Sequence, residues 1–157
     1  MATATKTRTA TNGKAAARDL RQSVPDVETD LRAGDVLSAR DALEVLAQQR
    51  IPFRSAMAIR RALRAVGGAA ADVQAEREKI INEYALRNDD GEIVFDPKNG
   101  RIEFGKNRQA YAVAHTELMD TVVTVATAPV PASLLEEIDE IEPAILLGLG
   151  DLLMDDL

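Results

Sequence analysis

From Asp35 to Arg87, apolar residues recur at three- and four-residue steps, and a single proline, Pro52, interrupts the pattern. A period near 3.6 means helix, and proline at a first helical position sacrifices no hydrogen bond, so a second helix starts where the first stops. The first helix is predicted over Asp35 to Arg50, with Val36, Ala39, Leu43, Leu46 and Ala47 facing inward and Asp35 or Ser38 capping the first turn. The second is predicted from about Phe53 to Arg87, its buried stripe marked by Phe53, Met57, Ile59, Leu63, Val66, Val73, Ile80 and Tyr84. The join at Ile51 and Pro52 is so short that the helices must fold back on each other as an antiparallel hairpin. Gly67 and Gly68 weaken the second helix by about 1 kcal/mol each relative to alanine. A kink or a close helix crossing is therefore expected there.

The core has to be aliphatic, because only three Phe and two Tyr occur among 157 residues that are 46% apolar. A chain of this length supports one domain that buries roughly two thirds of its unfolded surface. The lack of cysteine excludes disulfides, thiolate zinc sites and a cysteine nucleophile. No apolar run approaches the roughly 20 residues of a membrane-spanning helix, so a soluble protein is expected.

After the second helix, Asn88, Asp89, Asp90 and Gly91 read as a helix C-terminal turn. Glu92 to Phe95 and Arg101 to Phe104 alternate on either side of Asp96-Pro97-Lys98-Asn99-Gly100, which predicts a β-hairpin. A third helix over about Asn107 to Leu118 should bury Ala110, Ala114 and Leu118, and the β-branched run Thr121 to Thr127 should add a strand to the hairpin. Ser133 with Glu136 has the pattern of a capping box opening a short helix, and a last helix begins at Pro143 and falters at Gly148 and Gly150. The predicted class is α+β and mainly helical: an antiparallel helical hairpin with a long second helix, packed with a small antiparallel β-sheet (hairpin plus one strand) and short C-terminal helices. Residues 1–30 read as an extended N-terminal arm, 31–132 as the helical hairpin plus small sheet domain, and 133–157 as an acidic, aliphatic C-terminal helical segment.

Charge is distributed unevenly along the chain. Residues 1 to 70 carry 12 Lys/Arg and 7 Asp/Glu, residues 71 to 135 carry 7 and 11, and residues 136 to 157 carry none and 8. Such a chain can pair head to tail with copies of itself, although ordinary solvation explains any single charge as well. The Ala- and Thr-rich arm also resembles an organelle transit peptide in its basic residues, but it lacks the Leu or Phe spacing of an amphipathic one.

Chemistry-bearing residues are sparse. His115 is the single histidine, and Glu117 and Asp120, two and five residues on, point away from its face of the helix, so a packing or surface role is expected rather than a base or zinc ligand. With Gly91 as a calcium-loop glycine, Leu86 falls at the first ligand position and no Glu closes the loop, which excludes calcium there. Arg50, Arg54, Arg60, Arg61 and Arg64 give the start of the second helix a basic flank, read first as a solvated helix face and second as a contact for an acidic protein surface. Nucleic acid would call for more positive charge and stacking aromatics. Nine large aliphatics within residues 136–157, among them Ile138, Ile141, Ile145, Leu149, Leu152 and Leu153, either close the domain's own core or dock into another chain. The acidic polar face disfavours anionic lipid. No metal, cofactor or catalytic residue is predicted.

Gly34-Asp35-Val36 opening a helix, Leu43-x-x-Leu46, Ile51-Pro52 at the turn and Glu76-x-x-Lys79-Ile80-Ile81-x-x-Tyr84 resemble a family of short uncharacterised proteins of tailed bacteriophages. The resemblance continues through Asn88 to Gly91, Glu117-Leu118-Met119 before Val122 and Val125, and Ile141-Glu142-Pro143-Ala144, covering roughly residues 31 to 157. It implies a non-enzymatic structural or assembly protein of the virion, from the tail, neck or baseplate, present in the host cytoplasm during assembly. The expected partners are other phage structural proteins and copies of itself, met through the termini, with no direct nucleic acid and no membrane. The contact residues expected are Arg50, Arg54, Arg61 and Arg64 with the C-terminal aliphatics Ile138, Ile141, Ile145, Leu149, Leu152 and Leu153. The alternative is a small acidic phage-encoded inhibitor that binds a host or defence protein.

Overall fold

The structure is a computed structural model and describes residues 26–127, 129–136, 138 and 141–154. Strand β1 (Val27–Arg32) passes directly into helix α1 (Ala33–Gln48), which turns at Gln49 to Pro52 into helix α2 (Phe53–Tyr84). The helical hairpin is as expected, and so is the mainly helical α+β class. The start of α1 is tied by its backbone, with Ala33 N donating to Thr121 O at 2.8 Å. No side chain caps it: Ser38 Oγ donates instead to Gly34 O within the helix, and Asp35 sits inside the first turn.

The inner face of α1 consists of Ala33, Val36, Ala39, Ala42, Leu43 and Leu46, while Ala47 is exposed. Opposite it, α2 buries Ser55, Ile59, Ala62, Val66, Ala70 and Val73. This corrects the expected stripe, because Phe53 is 79% and Met57 53% exposed. The small residues Ser55, Ala62 and Ala70 face inward at helical spacing and let the backbones come close, so the large residues Phe53 and Met57 fall on the outer side. Gly67 and Gly68 lie within an unbroken helix, and a Cβ added to either would meet nothing within 4 Å. Among the described residues they make no close crossing.

Past Val73 no residue of α2 is fully buried. The helix ends at Tyr84, earlier than predicted, and the run from Asn88 to Gly91 is a β-turn, not a helix C-terminus: Arg87 bridges Ile93, and Asn88 Oδ1 accepts from Asp90 N and Glu92 N. The expected hairpin forms, with Phe95 bridging Ile102 around a turn in which Asp96 Oδ1 accepts from Lys98 N and Gly100 has φ +68°. A 3-10 turn (Gly105–Asn107) leads into helix α3 (Arg108–Asp120), which has no fully buried residue. Of the three positions expected inside, Ala114 and Leu118 are half-buried and Ala110 is exposed.

Strand β2 (Val122–Thr127) pairs antiparallel with β1, with Leu31 opposite Val123 and Thr29 opposite Val125. Its partner is therefore not the hairpin. Pairing with β1 puts Leu31, Val125 and Thr127 on one buried face, whereas Asp30 on the outer face accepts from Thr124 Oγ1 at 2.7 Å. Residues 27–30, counted with the arm, thus belong to the folded domain, Asp26 leads into β1, and residues 1–25 lie outside the described residues.

Strand β3 (Val130–Pro131) runs parallel to β4 (Leu153–Met154). Between them lie helix α4 (Ala132–Glu136), which starts one residue before Ser133, helix α5 (Pro143–Leu149) and a 3-10 turn (Gly150–Leu152). Helix α5 packs along α1 so tightly that a Cβ on Gly148 would lie 3.0 Å from Ala42 Cβ and 3.1 Å from Ser38 O.

Two outcomes follow. Gly148→Ala should lower the unfolding free energy in urea by about 1–3 kcal/mol, the usual cost of overpacking a tight contact. Removing residues 1–25 should leave cooperative thermal unfolding intact, while removal through Arg32 should abolish it by taking away β1 and Leu31.

Candidate functional site: an arginine-rich helix face and an acidic groove

Small buried residues on one side of α2 leave its opposite side to carry Phe53, Met57, Arg60, Arg61 and Arg64, with Arg54 beside them. Arg50, in the turn before α2, is also exposed and lines a hollow together with Arg60. Among the described residues none of these five arginines has a carboxylate within 4.0 Å. Arg40 on α1 behaves differently: Glu44 accepts from its Nε at 2.9 Å and raises the guanidinium pKa further, by that hydrogen bond first and by its charge second. The α2 face thus combines uncompensated positive charge with two large exposed apolar side chains, a composition common at protein contacts.

The C-terminal aliphatics are divided by α5. Ile145, Leu149 and Leu152 are buried in the chain's own core, and Ile138, Ile141 and Leu153 pack against it. Ile145, Leu149 and Leu152 therefore close the domain's own core, the other reading the sequence left open, because α5 and the turn after it lie on α1, whereas Ile138, Ile141 and Leu153 stay half-buried. What remains outward is Leu147, 82% exposed, with Leu146 beside it. Between α1 and α5 runs an open groove of about 710 Å³ whose charged lining is acidic, from Asp35, Asp41, Glu142 and Asp151.

A third surface was not foreseen. Past the core, α2, the hairpin and α3 enclose a groove of about 770 Å³ lined by Arg77, Arg101 and Arg108. Phe104 stacks on Tyr111 with ring centroids 3.8 Å apart at 13°, and His115 leans on Tyr111 at 5.6 Å, which gives the histidine the packing role expected of it. Three arginines from three elements converge here only through the tertiary fold, so no spacing in the sequence marks them. Among the described residues no three His, Cys, Asp or Glu side chains cluster so as to hold a metal, and no helix is long and apolar enough to cross a membrane.

No family model, no curated protein and no solved structure matches the chain.

Because both glycines of α2 border open space, Gly67→Ala and Gly68→Ala should each stabilise the isolated chain, by about 1 kcal/mol in chemical denaturation.

Proposed function

We propose that this chain is a non-enzymatic structural or assembly protein of a tailed-phage virion, a tail, neck or baseplate component present in several copies. The observation that supports it best is the outer face of α2, where exposed Phe53 and Met57 sit among arginines that have no ion-pair partner among the described residues. A large apolar side chain in water gains free energy when a partner covers it, and unpaired guanidiniums select a partner rich in carboxylates. The bacteriophage origin itself rests on the resemblance in residues 31 to 157.

The acidic groove between α1 and α5, with Leu147 at its edge, favours a second reading. A small inhibitor could use it to occupy a basic surface on a host protein.

Mass spectrometry of purified particles separates the two readings. The chain should appear in particles at fixed stoichiometry to the other structural proteins. Its absence from them, together with expression early in infection and a stable 1:1 complex with one host protein, would favour the inhibitor.

A further inference from the structure

The groove between α2, the hairpin and α3 holds an unusual group. Arg77 lines it, and among the described residues its buried Nε has no hydrogen-bond partner. Buried donors in folded proteins nearly always have an acceptor, and a guanidinium is best matched by a carboxylate, which takes two parallel hydrogen bonds. Arg101 and Arg108, on the hairpin and at the start of α3, line the same groove, and neither has an ion pair among the described residues. Two acids share the lining. Asp96 is committed to its own turn, where its oxygens accept from Lys98 N at 2.8 Å and Asn99 Nδ2 at 2.7 Å. Three guanidiniums therefore line the groove with two carboxylates, of which that of Asp96 is held by its own turn.

We propose that this groove receives the acid-rich stretch 136–142 of a second copy of the chain. That stretch reads Glu-Glu-Ile-Asp-Glu-Ile-Glu, five acids in seven residues without a base. Its Ile138 and Ile141 pack against their own core, while Glu136 and Glu142 are exposed. The contact has to be between copies. Gly148 of α5 faces Ser38 and Ala42, and the turn after α5 lies against β1, so α5 runs antiparallel to α1 and Glu142 lies toward the turn where α1 becomes α2. Arg77 is 24 residues along α2 from Phe53, about 36 Å at the helical rise. Glu142 and the arginine groove thus lie toward opposite ends of α2, and joining the acidic stretch of one copy to the groove of another makes a heterologous contact that propagates into a ring or a filament.

The inference rests on the reading of the chain as a multi-copy protein and adds which surfaces meet. Sedimentation velocity of the full chain tests it, with circular dichroism to verify folding of each variant. The chain should self-associate, and less so as salt rises. Arg101→Glu with Arg108→Glu, or Glu136→Lys with Glu142→Lys, should weaken association roughly a hundredfold, as like charges replace complementary ones. Mixing the two reversed chains should restore it, because each then offers the other a complementary end. Arg40→Glu, on α1 outside both surfaces and already paired with Glu44, should leave association unchanged. A chain that stays monomeric, reversals without effect, or a mixture that fails to recover would each overturn the proposal. If association and rescue hold but particles lack the chain, the virion reading fails and this contact stands. If particles contain the chain and the reversals change nothing, the virion reading stands and this contact fails.

Discussion

Packing of α1 between α2 on one side and α5 on the other is the interaction on which the fold depends. With few aromatics, the chain has no large side chains to fill a gap between helices, so stability has to come from close backbone approach over aliphatic side chains. Ala39 and Ala42 on α1, Ala62 and Ala70 on α2 and Gly148 on α5 supply that approach, and Val36, Leu43, Leu46, Ile59 and Leu149 fill the space around it. Leu31 and Val125 close the remaining side from the two-stranded sheet. Every other element either joins this packing or hangs from α2 beyond it.

The hairpin of helices was legible because periodicity and one proline are local signals. Its facing residues were less so. Size drew attention to Phe53 and Met57, whereas close packing selected Ser55, Ala62 and Ala70, whose burial no transfer scale would rank first. The strand β1 was hidden for a related reason: Val-Glu-Thr-Asp-Leu-Arg has one deeply buried side chain, Leu31, and its strand character depends on β2, some 90 residues away in sequence. Long-range pairing of that kind leaves no mark on either segment alone. The C-terminal aliphatics showed their number but not their division between core and surface, which the seating of α5 on α1 decides.

Charge tells a similar story at the level of function. Counting residues along the chain reveals a basic beginning and an acidic end, but the fold redistributes these charges into an arginine-rich helix face, an arginine groove and an acidic groove on different sides of the domain. The basic flank on α2 could be read from sequence because its members share one helix. Arg77, Arg101 and Arg108 could not, since they meet only when the hairpin and α3 fold back onto the far half of α2.

That far half gives α2 a significance apart from packing. A helix of 32 residues spans about 48 Å, and only its first two thirds is needed to complete the core. The remainder is a rigid rod that sets a fixed separation between the two ends of the protein. Because α3 carries the chain back along α2 to the start of α1, that rod would act as a ruler wherever copies are stacked end to end, and matched whole turns added to or removed from α2 past Val73 and from α3 would change the repeat of the assembly in steps of about 5.4 Å.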